Sequence, residues 1–171
     1  GIDYRHPDLA PNYRGGYDFA NDDPDPRDDH GHGTHCAGII AAARNGEGVV
    51  GIAPRAQLYA VKVTDRRGRA WYSDIIAGLE WAVDHHMDIA NLSLGSYVPS
   101  RALRAACAAA YRGGVLLVAA SGNDGGPVML PARYPSVIAV SAVDENGEVP
   151  FWSNQGPQIE LSAPGQEIIS T

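Results

Sequence analysis

The sequence predicts an α/β fold, a parallel β-sheet with helices on both faces. Three observations carry the prediction: short apolar runs bounded by turn residues, helix-period stretches between them, and runs that are apolar throughout rather than alternating. Strand, helix, strand, helix in that order gives right-handed crossovers and parallel pairing. The length of 171 residues allows a core that buries about 70% of the surface exposed by an unfolded chain.

Gln57 to Val63 is the first such run, QLYAVKV, and reads as a buried strand. A helix follows over Ser73 to Met87, with Ile75, Ile76, Leu79, Ala82 and Val83 on one face and Ser73 as its N-cap. Ile89 to Leu94 is the next strand. Ser100 to Arg112 repeats the capped helix and is closed by Gly113-Gly114, and Val115 to Ala120 and Val137 to Ala142 are two more strands. The last third, with Pro131, Pro135, Pro150, Pro157 and Pro164, is loop-rich, with room for strands at Val149 to Ser153 and Ile159 to Ser162. No linker or repeat interrupts the chain, and residues 1–171 are expected to belong to one domain.

Charge is concentrated in one place. Asp18, Asp22, Asp23, Asp25, Asp28 and Asp29, with Arg27 alone among them, supply most of the formal net charge of -7. Without a basic stripe to displace counterions from phosphates, nucleic acid is not an expected partner. The acids fit either a bound cation or a solvated loop. No apolar run reaches the roughly 18 residues of a membrane span. Cys36 and Cys107, in different helices, read as free thiols.

The densest chemistry lies in Asp28-Asp29-His30-Gly31-His32-Gly33-Thr34-His35-Cys36-Ala37-Gly38. His30, His32 and His35 have the spacing of an H-x-H-x-x-H zinc run, although Thr34 stands where that run usually places Asp. Histidines hydrogen-bonded at a helix start are the simpler reading of His30 and His35.

Further motifs join this one: Gly1-Ile2-Asp3 with His6-Pro7-Asp8-Leu9, Val49-Val50-Gly51-Ile52-Ala53-Pro54, Asn91-Leu92-Ser93-Leu94-Gly95, Ala119-Ala120-Ser121-Gly122-Asn123 and Ala163-Pro164-Gly165. In this order and spacing they resemble the subtilisin-like serine proteases, the subtilases, over nearly the whole chain. Cys36 and the acidic loop before it look most like the thermitase branch.

The resemblance implies a serine endopeptidase that acts on polypeptides through an Asp/His/Ser triad and an acyl-enzyme. His32, the first histidine of HGTH, would be the general base, with Gly31 and Gly33 letting backbone approach it. Asn123 would donate its side-chain amide to the oxyanion; without the resemblance it reads as a turn residue. Ser93, Leu94 and Gly95 would pair with an extended peptide as an added strand. Ala119, Ala120 and Gly122 would line a wide apolar pocket, and Tyr72 and Ile75 with Leu94 a second one. Read without the family, these apolar residues are ordinary core.

The resemblance also implies structural calcium. Asp8, the Asn45 side chain and the carbonyls of Ala43, Glu47 and Val49 would form one site, and Asp18, Asp23 and Asp25 a second in the acidic loop. A secreted protein whose parent carries a propeptide inhibitor is implied too, although intracellular relatives exist.

Two parts of the family pattern fall outside these residues. The catalytic Asp would lie two positions before Gly1, and the nucleophile belongs to a Gly-Thr-Ser-Met-Ala motif that does not occur here. Ser170 lacks the glycine elbow of that motif, and Asp3 already has its own counterpart in the pattern. The chain is thus expected to be the interior of a catalytic domain, inactive alone and prone to self-association through a vacated strand position. A non-catalytic module that binds peptides or a partner protein is the competing expectation.

Overall fold

A computed structural model describes every residue from Gly1 to Thr171. The elements are β1 (Tyr13–Asp18), α1 (His32–Ala41), β2 (Leu58–Lys62), α2 (Tyr72–Asp84), β3 (Ile89–Leu92), α3 (Arg101–Arg112), β4 (Leu116–Ala120), β5 (Val137–Val143) and β6 (Ile159–Pro164). All ladders are parallel, as the alternation of strands and helices predicts. They form two sheets: β1 pairs with β2, and β3-β4-β5-β6 run in sequence order.

The backbone groups into two compact units, residues 1–78 with 169–171 and residues 79–168. In the first unit, Ile2, Leu9, Ala37, Ala41, Leu58 and Ala60 form the core, with Tyr13 and Ile40 packed against it. The strand β1 is absent from the sequence expectations because its Gly15-Gly16 pair disguises it. At Gly16 a Cβ would overlap the Ala60 carbonyl, so glycine permits the close approach of β1 to β2. Residues 169–171 return to α1. The Ser170 hydroxyl donates to the His35 carbonyl (2.8 Å) and the Thr171 hydroxyl to the Thr34 carbonyl (3.0 Å). Both hydroxyls lie where a Cβ on Gly38 would stand.

In the second unit the alternate residues Leu117 and Ala119 of β4 and Val137 and Ala139 of β5 point into a core shared with Leu103 and Cys107 of α3. Ser100 caps α3, its hydroxyl accepting from the Leu103 N–H at 3.1 Å, as expected. The cap expected at Ser73 falls two residues too late. The Trp71 carbonyl accepts the first helical bonds of α2, from Asp74 and Ile75, and Ser73 lies inside the first turn, bonded to the Asp74 carboxylate. Val149 to Ser153 is turn and bend rather than strand, whereas β6 covers the Ile159 to Ser162 expectation.

Candidate active site

Each unit contributes one set of candidate residues. In the first, His32 is the first residue of α1 and is exposed to solvent. Gly31 before it adopts φ 97°, a left-handed conformation that a side chain resists, and turns the chain sharply into the helix. No side chain on Gly31 caps the helix; Asp28 supplies the cap from three residues farther back. One Asp28 oxygen accepts from the N–H groups of His30 and Gly31 (2.9 Å each), the other from the N–H (2.9 Å) and hydroxyl (2.6 Å) of Thr34. Burial pushes the Asp28 carboxyl up, but the bonds from Thr34, Gly31 and His30 outweigh it and hold the pKa far below the usual carboxylate range. Asp28 was legible only as one more acid of the loop.

One turn along α1, the Cys36 sulfur lies 3.8 Å from His32 Nε2. His30, His32 and His35 do not converge on a metal: no group of three His, Cys, Asp or Glu side chains is placed to hold one. A cleft of about 410 Å³ beside the helix start is lined by Asp3, Asp28, Asp29, His30, Gly31, Thr34 and Thr171.

The loop 43–49 wraps around Asp8, which is only 1% exposed. Its carboxylate accepts from Asn45 Nδ2 (3.0 Å) and the Val49 N–H (3.1 Å), and those bonds lower its pKa. No Lys or Arg pairs with it. Gly48, at φ 51°, passes so close that a Cβ would collide with the carboxylate.

The acidic loop does not assemble the second cation site. Asp18 is 1% exposed and pairs with the buried Lys62 ammonium at 2.8 Å, while Asn21 and the Ala20 and Asn21 N–H groups fill the rest of its oxygens. Burial raises the Asp18 pKa, but the Lys62 and Asn21 contacts prevail and lower it. Asp23 accepts from the Asp25 N–H, and Asp25 from the Tyr4 hydroxyl. A cation at Asp18 would have to displace an ammonium already in place.

In the second unit, Ser93, Leu94, Gly95, Ala120, Gly122 and Asn123 line one pocket of about 300 Å³, together with Asp124 and Met129. The last two were not read from the sequence. Ala119 does not belong to it: at 2% exposure it faces the core, because successive residues of β4 point to opposite faces and Ala120 takes the pocket side. Ile75 is core as well, 4% exposed, while Tyr72 is half-buried at the start of α2. Asn123 is exposed, in the turn that leaves β4.

Parallel strands linked by helices, a histidine opening a helix and a strand-end pocket beside a glycine-rich asparagine turn define a subtilisin-like α/β protein. A solved structure of a cold-adapted subtilisin-like serine proteinase superposes with a TM-score of 0.91 at 32% identity, over 99% of this chain and 62% of that one. The subtilase family model matches residues 1–171, and the chain belongs to the subtilase family. It is 49% identical over 167 residues to a thermostable alkaline protease of Halalkalibacterium halodurans, covering 97% of this chain and 46% of that protein. Subtilisin Savinase of Lederbergia lenta is also 49% identical over 167 residues (97% and 61%), and the minor extracellular protease Epr of Bacillus subtilis is 48% identical over 168 residues (97% and 26%). The chain thus spans from about a quarter to three fifths of the length of these relatives.

Proposed function

We propose that this chain forms part of the catalytic domain of an extracellular serine endopeptidase that cleaves polypeptides. The observation that carries the reading is the strand-end pocket, where Ser93 to Gly95 and Ala120 to Asn123 meet around a space fit for one side chain of a bound peptide. The Ser93 to Gly95 segment offers extended backbone to a substrate strand. Asn123, at the rim, donates its amide to the oxyanion of the tetrahedral intermediate. His32 takes the nucleophile's proton and returns it to the leaving amine. The nucleophilic serine and the carboxylate that orients His32 belong to motifs outside these 171 residues. The likeness to proteases named alkaline and extracellular supports the class and the location.

Calcium fits the Asp8 loop. A buried carboxylate without an ammonium or guanidinium partner, ringed by loop backbone, has the hard oxygen chemistry calcium selects. Asp8, the Asn45 side-chain oxygen and the carbonyls of Ala43, Glu47 and Val49 would hold it, the Asn45 amide turning over to present oxygen in place of Nδ2. Asp8 would be neutralised by a cation there, and the loop 43–49 would be held by its own carbonyls on that ion.

The test is labelling with a serine-directed phosphonate probe and, on separate unlabelled samples, hydrolysis of a peptide p-nitroanilide. The full-length protein is labelled stoichiometrically and cleaves the peptide, the His32→Ala variant does neither, and the 171-residue chain alone is not labelled. An unlabelled, inactive full-length protein that still binds peptides refutes the endopeptidase reading in favour of a binding module.

A further inference from the structure

The pocket turn depends on a residue about thirty positions away in sequence. Asn154 is fully buried, at 0% exposure, and every polar atom of its side chain is bonded. Its Oδ1 accepts from the N–H groups of Asp124 (3.0 Å) and Gly126 (3.1 Å). Its Nδ2 donates to the Pro127 carbonyl and to the Tyr97 hydroxyl, both at 2.9 Å. Its own N–H donates to the Gly122 carbonyl at 3.0 Å. One asparagine therefore holds the turn immediately before and immediately after Asn123.

Two further observations bear on the same group. Gly122 has φ 118°, and a Cβ there would overlap the Asn154 amide, so the glycine exists in contact with this side chain. Tyr97, which accepts from Asn154, donates to the Asp124 carboxylate at 2.6 Å, so the network continues into the pocket wall. Asn123 itself is exposed.

We propose that Asn154 is a positioning residue that sets the aim of the Asn123 amide and, through Tyr97, the placement of the Asp124 carboxylate at the pocket. The inference rests on the peptidase reading for its kinetic consequence, but the anchoring itself is measurable without it. Asparagine is required because the site needs two donors and two acceptors in one plane; aspartate would turn two donors into acceptors facing the Pro127 carbonyl. The turn keeps separate backbone bonds, from the Gly125 N–H to the Trp152 carbonyl (2.8 Å) and from the Gln155 N–H to the Gly126 carbonyl (3.0 Å). Loss of the side chain therefore loosens the turn without removing its attachment.

The experiment uses the full-length protein with Asn154→Ala, Asn123→Ala and the double variant. Amide hydrogen exchange at Asp124 and Gly126 accelerates in Asn154→Ala, while Ser121, whose N–H bonds to the Val140 carbonyl, is unchanged. In peptide hydrolysis, normalised to folded enzyme, Asn154→Ala lowers kcat by about ten- to a hundredfold with KM little altered. In the Asn123→Ala background the same substitution lowers kcat no further, because the group being aimed is gone. Unchanged exchange at Asp124 and Gly126, or a kcat loss that simply multiplies in the double variant, overturns the proposal. If Asn123→Ala alone leaves kcat intact, the oxyanion role fails, and the exchange result still decides whether Asn154 anchors the turn. Should Asn154→Ala not fold, Tyr97→Phe on an exposed ring carries the test, with faster exchange at Asp124 and a smaller loss of kcat.

Discussion

Replacing Asp28 by alanine removes four hydrogen bonds from the start of the helix that presents His32. The Thr34 N–H is an orphan donor of the first helical turn, and Asp28 does for it what an N-cap side chain does elsewhere. Loss of a cap costs roughly 0.5 to 2 kcal/mol, and a charged acceptor sits at the upper end. Because water can reach part of this site and replace some of the lost bonds, we take about 2 kcal/mol for the variant. In a domain of about 150 to 250 residues that lowers Tm by about 4 to 8 °C, and by somewhat less in a longer full-length protein. Thermal melts of the full-length protein and Asp28→Ala, followed by circular dichroism, measure it. The pH dependence is equally specific. The folded pKa of Asp28 is depressed, so its stabilisation is complete above the unfolded value of 3.8 and is lost as pH falls through the folded value. The Tm gap between wild type and variant should hold constant from about pH 5 to pH 8 and narrow only in stronger acid. A gap smaller than about 1 °C at neutral pH, or one that closes already near pH 5, would refute the capping role.

Other variants test the remaining assignments. Ser100→Ala, at a true N-cap, should destabilise by about 1 kcal/mol in urea unfolding, whereas Ser73→Ala, inside the first turn of α2, should cost less than about half of that. Lys62→Met strands the buried Asp18 carboxylate and should cost about 3 kcal/mol at neutral pH, with much of the loss recovered by adding Asp18→Asn. A chelator should lower the Tm of the full-length protein, calcium should restore it, and Asp8→Asn should abolish that response; equal melts with and without chelator count against the loop as a calcium site.

Strand positions β2 to β5 were legible because each is an apolar run between turn residues, and that signal is local. β1 was not, since Gly15 and Gly16 erase the strand pattern for the sake of contact with Ala60, 44 residues ahead of Gly16. Ser93 to Gly95 and Asn123, picked out from the sequence, line one pocket with Ala120 and Gly122, yet the sequence cannot tell which of two adjacent alanines faces it. Strand parity assigned Ala120 to the pocket and Ala119 to the core. The acidic loop shows the limit most clearly: Asp18 and Asp28 look alike in sequence, but Lys62 neutralises the first and backbone donors claim the second. Asn154 gave no signal at all, because its importance lies in partners distant in the chain.

The return of Ser170 and Thr171 to α1 sets a timetable for folding. Their hydroxyls bond to carbonyls 135 and 137 positions earlier, on the helix that begins with His32. Residues 1–78 leave the ribosome before residues 79–168, and the notch at Gly38 cannot be filled until all of those have followed. At about 5 to 20 residues per second, that interval lasts roughly five to twenty seconds. During that time Gly38 and the neighbouring carbonyls of the helix stay open to water or to any passing chain, so a helix made earlier is sealed only by a segment made later.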